Sequence, residues 1–257
     1  MRLAVFQADA YPASPQERLQ TLDNVLAENT SMGADLILCP ELFVSGYADA
    51  QAIRNAAGPV DGELPEQLAQ IALNHSTAIA CGYPENHNGV LYNSMLCISK
   101  QGRLLANHRK RALPTPYEQG LFNTGNEATI FDFDQDWRVA LLICYEVEFP
   151  EAVRACALAG AHLVLAPTAL GTEWGVVSRK VIPSRAFENN IFLAYSNYCG
   201  KDLHHHYIGE SVIVSPMGED LARAGTRSEI ISAELDIQVI EQARSRLAYL
   251  VDFPQVS

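Results

Sequence analysis

The segment Val139-Ala140-Leu141-Leu142-Ile143-Cys144-Tyr145-Glu146-Val147-Glu148-Phe149-Pro150-Glu151 constrains the fold more than any other stretch of the chain. An aliphatic run ends at one cysteine, and three carboxylates, two aromatics and a proline follow at once. A bounded apolar run of this length predicts a strand buried on both faces. Cys144 then lies at that strand's C-terminal end, where open α/β sheets place their ligands. Glu151 and the alanine-rich residues after it predict a helix. The cysteine therefore occupies a strand-to-helix turn near helical N–H groups, a setting that favours thiolate over thiol. A lone cysteine more often fills a core, so partners elsewhere in the chain must distinguish this one.

The remaining segments repeat the same alternation. Strands are predicted at Arg2 to Gln7, Asp35 to Cys39, Thr77 to Tyr83, Leu91 to Ser99 and Arg103 to Asn107. The first two flank a helix running from Pro15 through Met32, with Leu19, Leu22, Val25 and Leu26 at helical spacing and Gly33 as its stop. Leu64 to Asn74 reads as a second helix, and Gln101-Gly102 as a hairpin turn. Pro114 and Pro116 predict an irregular loop carrying Tyr117-Glu118-Gln119-Gly120. Ala128 to Phe133 pairs with Trp137 to Ile143. A helix at Glu151 to Gly160 and a strand at His162 to Ala166 follow. Val176 to Asn190 reads as a helix kinked or displaced by Pro183. Strands at Ile191 to Asn197, Gly209 to Ser215 and Glu229 to Glu234 and a helix at Ile237 to Ala248 complete the series. No linker, charge block or repeat divides residues 1–257, which predicts one mixed α/β domain with strands enough for two sheets.

With 48% hydrophobic and 19% charged residues the chain can bury a large core. A formal net charge of -12 disfavours nucleic acid or an anionic membrane surface as partner. Asp9 follows the opening residues too soon for a signal-peptide core, and no apolar run is long enough to span a bilayer. The six cysteines form no C-x-x-C pair, a pattern of reduced thiols that points to the cytoplasm and to neither a disulfide frame nor a zinc site. His204-His205-His206 point in alternating directions if extended and cannot converge on one metal. Gly209-Glu210-Ser211 lacks the second glycine of a nucleophile elbow, and the acidic turn at Asp132, Asp134 and Asp136 lacks calcium-loop spacing. No metal site is expected.

Three strand ends present reactive side chains: Glu41, Lys110 and Cys144. These types suit attack on a carbonyl or nitrile carbon. A free cysteine has a pKa of about 8.5, so it needs a base and a nearby positive charge. Glu41 can take the thiol proton and return it to a leaving amine, and Lys110 can hold the thiolate and then the oxyanion. The backbone N–H of Tyr145 is the natural second oxyanion donor. Duller roles also fit: Glu41 capping a loop, Lys110 within a solvated basic cluster.

Pro40-Glu41-Leu42-Phe43-Val44-Ser45-Gly46-Tyr47, Arg109-Lys110 with Leu113, and Ile143-Cys144-Tyr145-Glu146-Val147-Glu148-Phe149-Pro150-Glu151 together resemble the nitrilase superfamily of carbon-nitrogen hydrolases. The similarity extends to Arg185-Ala186-Phe187-Glu188-Asn189 and Asn197-Tyr198-Cys199-Gly200, and so covers nearly the full chain. It implies a Glu-Lys-Cys triad at Glu41, Lys110 and Cys144, a further active-site glutamate at Glu118 and no cofactor. It also implies a four-layer αββα sandwich that pairs into dimers or larger homo-oligomers. Two departures stand out. Arg111 occupies a position where many relatives carry threonine or valine, and Glu146 one where many amidase relatives carry aspartate.

Cys144-Tyr145 and the chain length resemble the amidase and carbamoylase branches more than true nitrilases. This implies a cysteine-dependent hydrolase of a small aliphatic amide, releasing ammonia through a thioester. Pro167-Thr168-Ala169-Leu170-Gly171-Thr172-Glu173-Trp174 resembles the segment that meets the substrate amine in N-carbamoylputrescine amidohydrolases, which makes Glu173 a partner for a substrate ammonium and Trp174 an apolar or cation-π wall. The residues around Arg185 and Asn197 resemble ω-amino-amide hydrolases such as 5-aminopentanamidase. An N-carbamoyl amine hydrolase and a catalytically idle scaffold are the alternatives.

Overall fold

The computed structural model describes residues 1–252; the last residues of the expected domain, 253–257, lie outside them. Fourteen strands are described: β1 (Arg2–Asp9), β2 (Leu36–Leu38), β3 (Ala78–His87), β4 (Val90–Ile98), β5 (Leu104–Arg109), β6 (Thr129–Asp132), β7 (Arg138–Leu141), β8 (Leu163–Pro167), β9 (Phe192–Ser196), β10 (Tyr198–Asp202), β11 (His205–Ile208), β12 (Val212–Val214), β13 (Asp220–Arg223) and β14 (Glu229–Glu234). They form two sheets. One runs β11-β10-β1-β2-β3-β4-β5 with β14 also on β1, and the other β13-β12-β9-β8-β7-β6. The centre of each is parallel, β1-β2-β3 and β7-β8-β9, and antiparallel hairpins extend the edges.

Side-chain alternation along β1 shows how the layers form. Leu3 and Val5 pack with Leu36, Leu38, Val139, Leu141, Leu163 and Leu165 in a core between the two sheets. Ala4 and Phe6 point the other way, against Leu19, Leu22 and Leu26 of helix α1 (Pro15–Glu28). On the far side, Val164 and Leu193 meet Val153 and Ala186, which belong to the pair of helices Pro150–Leu158 and Ile182–Asn189. Helix, sheet, sheet, helix is the four-layer αββα order that the family resemblance implies, and it explains why both parallel centres read as unbroken apolar runs.

The departures from the sequence reading are local. The first helix ends at Glu28, and a separate 3-10 turn, Thr30–Met32, carries the chain to Gly33 at φ 61°. The proline-rich loop is a short helix, Pro116–Leu121, because Thr115 caps it by accepting the Glu118 N–H at 3.2 Å and Pro116 sits where a helix needs no N–H. Another helix, Ala50–Ala56, begins where the Asp49 carboxylate accepts the N–H groups of Gln51 and Ala52 at 2.8 and 3.2 Å. At Pro183 the start is displaced: a π turn at Val177–Val181 precedes a helix that opens at Ile182. The histidine segment lies in the β10-β11 hairpin, with Lys201 opposite His206 and Asp202 opposite His205. The helix expected through Ala248 stops at Arg246, and a separate short α-helix, Tyr249–Asp252, follows it.

Candidate active site

The site lies where the two sheets present their strand ends to each other. Just beyond β2 comes Glu41, and Leu42 after it takes a left-handed φ of 49°. Gly82 of β3 lies hard against the Pro40–Leu42 backbone, leaving no room for a Cβ. Lys110 follows β5, fixed through its N–H to Asn93 O at 2.8 Å. From the second sheet, Cys144 follows β7 at φ 50°, where a 3-10 turn (Cys144–Glu148) begins. Two non-glycine residues in the left-handed region, beside or at the reactive side chains, mark locally strained backbone of the kind active sites retain.

Glu41, Lys110 and Glu118 are each fully buried. Lys110 Nζ donates to Glu41 Oε1 at 2.6 Å and meets Glu118 at 2.9 Å to Oε1 and 2.8 Å to Oε2. Asn93 Nδ2 also donates to Glu41 Oε1, at 2.7 Å, and the Tyr47 hydroxyl donates to Glu118 Oε1 at 2.6 Å. Glu41 Oε2 is buried and has no hydrogen-bond partner among the described residues. All the bonding of this carboxylate thus converges on one oxygen, and the other keeps its lone pairs for an incoming proton.

Cys144 is partly exposed, whereas the other five cysteines are buried. Its Sγ accepts a hydrogen bond of 3.0 Å from Thr168 Oγ1, which itself accepts from the Tyr195 hydroxyl at 2.9 Å. Thr168, just past β8, also bonds the base: its carbonyl accepts the Glu41 N–H at 3.4 Å. Burial of Sγ and the Glu41 carboxylate push the thiol well above its ordinary value, and Lys110 offsets this only in part. The expected preference for thiolate does not hold in the resting protein, because desolvation and two carboxylates outweigh the turn's N–H groups and one ammonium. A neutral thiol beside a carboxylate with a free oxygen is a pair poised for proton transfer during attack. Burial works against the Lys110 ammonium, but the carboxylates hold it above its ordinary value, so it remains charged. Burial raises Glu118, with Lys110 opposing.

The Tyr145 N–H lies in the first turn of the 3-10 segment, where an N–H has no carbonyl of its own turn to bond. Glu173 and Trp174 are placed differently. They form an exposed 3-10 turn (Thr172–Trp174), and Trp174 is 57% exposed. Glu173 accepts from the adjacent Thr172 hydroxyl at 3.5 Å, and among the described residues no hydrogen bond joins it to the triad. The sequence reading missed Asn93, Tyr47, Thr168 and Tyr195. Of these, Thr168 had a signal in its place at a fourth strand end and Tyr47 in closing the motif that carries Glu41; Asn93 and Tyr195 reach the site through tertiary packing alone. It also passed over Glu148, four residues after the cysteine, whose half-buried carboxyl is raised by burial, with Lys110 and Arg185 opposing. No hydrogen bond or ion pair among the described residues engages that carboxylate.

A buried carboxylate and ammonium beside a partly exposed cysteine, at the facing ends of two stacked α/β sheets, define a class of cysteine hydrolase. Residues 2–245 match the carbon-nitrogen hydrolase family model. The chain is 38% identical over 255 residues to a hydrolase encoded in the pqqF 5' region of Pseudomonas protegens, covering 98% of this chain and 88% of that protein. It is 33% identical to an (R)-stereoselective amidase of a Pseudomonas species, covering 85% of this chain and 79% of the relative. A cysteine-to-alanine mutant of the Nesterenkonia AN1 amidase, a solved structure from the nitrilase superfamily, superposes with a TM-score of 0.82 at 32% identity, covering 96% of this chain and 95% of that one. The chain belongs to the carbon-nitrogen hydrolase family of the nitrilase superfamily, and is a hydrolase of carbon-nitrogen bonds other than peptide bonds.

Proposed function

We propose that the protein is an amidohydrolase that cleaves a small aliphatic amide through a thioester on Cys144, with Glu41 as proton relay and Lys110 as the fixed positive charge. The observation that carries this reading is the division of labour on Glu41: Oε1 takes Lys110 and Asn93, and buried Oε2 takes nothing. As Sγ bonds to the amide carbon, its proton passes to Glu41 Oε2. The carbonyl oxygen takes the negative charge between Lys110 Nζ and the Tyr145 N–H, where fixed donors act without reorganisation. The C–N bond then breaks, Glu41 gives its proton to nitrogen, and ammonia leaves. Water attacks the thioester and loses a proton to Glu41; the C–S bond breaks and that proton returns to Sγ. The sum is amide plus water giving acid plus ammonia. Nucleophile, proton carrier and charge all come from side chains, so the sequence needs no cofactor. Glu118, bonded to Lys110 and Tyr47, orients the ammonium.

For the substrate we propose a short amide bearing an amine, as in 5-aminopentanamide. Two carboxylates support it: half-buried Glu148 in the nucleophile's own turn, and Glu173 with Trp174 on the exposed rim. Exposed Phe149, Leu158 and Phe187 on the outer helical layer support association into a dimer or larger homo-oligomer of this single-domain chain. Ammonia release from 5-aminopentanamide, N-carbamoylputrescine and hexanamide, with Cys144→Ala as control, tests the assignment. Release that survives Cys144→Ala refutes it, and preference for hexanamide refutes the amine.

A further inference from the structure

Arg111, next after Lys110, and Glu146, two residues after Cys144, touch each other. Arg111 Nε donates to Glu146 Oε1 at 2.9 Å. Glu146 Oε2 accepts the Ile143 N–H at 2.8 Å and meets His108 Nε2 at 2.9 Å. His108 Nδ1 lies 3.0 Å from Thr129 Oγ1. Both Glu146 and His108 are buried. Burial alone would raise the Glu146 carboxyl, yet His108, the Ile143 N–H and Arg111 together hold it below its ordinary value, so it stays ionised.

Along the chain, His108 and Arg111 flank Lys110, and Ile143 immediately precedes Cys144. A single carboxylate thus fastens the lysine segment of the first sheet to the cysteine turn of the second. Cys144 sits at φ 50°, a conformation that L residues hold only where the surroundings over-determine it. Glutamate has one methylene more than aspartate, and that length lets one side chain serve both Ile143 and Arg111.

We propose that Glu146, with His108 and Arg111, is a positioning residue: it holds the strained turn so that Cys144 Sγ faces Glu41 and Lys110 and the Tyr145 N–H faces the reacting oxygen. Glu146 touches no substrate atom. The inference rests on reading Cys144 as the nucleophile.

Alkylation by iodoacetamide reads the turn without reference to substrate, since Cys144 is the one cysteine among the six that is not buried. The full-length chain and its Glu146→Gln variant are compared for alkylation rate at Cys144, located by peptide mass, and for kcat and KM on an amide the parent hydrolyses. Glu146→Gln lowers kcat by about tenfold or more, leaves KM within about threefold and changes the alkylation rate in parallel with kcat. Glu146→Asp and Arg111→Lys each lower kcat, and together they lower it by less than the product of the two, as contacting residues do. Should Glu146→Gln not fold, Arg111→Gln at the more exposed end of the network gives the same readouts with a smaller loss of about threefold. A lowered melting temperature with kcat and alkylation unchanged means a merely structural role and overturns the proposal. Activity that persists in Cys144→Ala overturns the nucleophile reading instead, so the two failures are distinguishable.

Discussion

Two neighbouring parts of the site are built on opposite principles. Glu41, Lys110 and Glu118 are completely buried and share a dense set of short bonds, whereas the Thr172–Trp174 turn stands in solvent. In the proposed mechanism the buried part carries a charge-separating reaction, and removing water makes each fixed charge act more strongly. As proposed, the rim would meet whatever is attached to the amide, and so could vary without disturbing that machinery. The proposed function thus assigns reaction type to strand ends where two sheets meet, and substrate choice to side chains around them.

Mutations that break the buried half come first. Cys144→Ala abolishes ammonia release while leaving far-ultraviolet circular dichroism unchanged, because the side chain adds reactivity and little packing. Lys110→Met removes the cation from two buried carboxylates, and loss of one member of a buried ionic cluster costs about 3–5 kcal/mol; denaturant unfolding checks this alongside lost turnover. The sign of the pH dependence follows from the raised Lys110 value. Its contribution is fully present below the unfolded lysine value of about 10.4 and is lost only as pH rises through the higher folded value. The melting temperature of the parent therefore keeps this contribution across neutral pH, and the Lys110→Met curve loses the alkaline fall it produces.

Thr168→Val tests the junction of the two halves. The change removes the hydroxyl that donates to Sγ at 3.0 Å, and a hydrogen bond worth about 1 kcal/mol lowers kcat by roughly fivefold. At the rim the effects shrink. Glu148→Gln reduces the preference for 5-aminopentanamide over hexanamide by about tenfold, and Glu173→Gln by less, because exposed charges are screened. Equal effects of the two substitutions would erase the contrast between half-buried and exposed carboxylates. Trp174→Ala shifts unfolding free energy by less than about 0.5 kcal/mol, as expected for an exposed side chain.

The central strands were legible because buried parallel strands leave an apolar signature at Leu36 to Leu38, Val139 to Leu141 and Leu163 to Leu165, but their stacking into four layers was implied by the family resemblance alone. Glu41 and Cys144 were legible as strand ends because each follows an apolar run, whereas Lys110 follows the largely polar edge strand β5, and it was the family resemblance that joined the three into a triad. The β10-β11 hairpin was not, since Lys201 to His206 are polar and pair at an edge, where a strand needs no apolar code. The helix Pro116–Leu121 was hidden because a proline that opens a helix looks like one that breaks it. The resting thiol also escaped prediction: an N–H-rich turn is visible in sequence, but the burial that raises Cys144 arises only when both sheets close on it.

The central claim is that Cys144 forms a covalent acyl intermediate with a small amide. Intact-mass spectrometry of the protein quenched in acid soon after mixing with 5-aminopentanamide tests it most directly. The expected result is a mass increase equal to the aminoacyl group, mapped to the peptide carrying Cys144 and absent in Cys144→Ala. A carbamyl adduct seen only with N-carbamoylputrescine would move the enzyme to the carbamoylase branch. Turnover with no adduct at Cys144 under any quench time, or an adduct on another residue, would contradict the account.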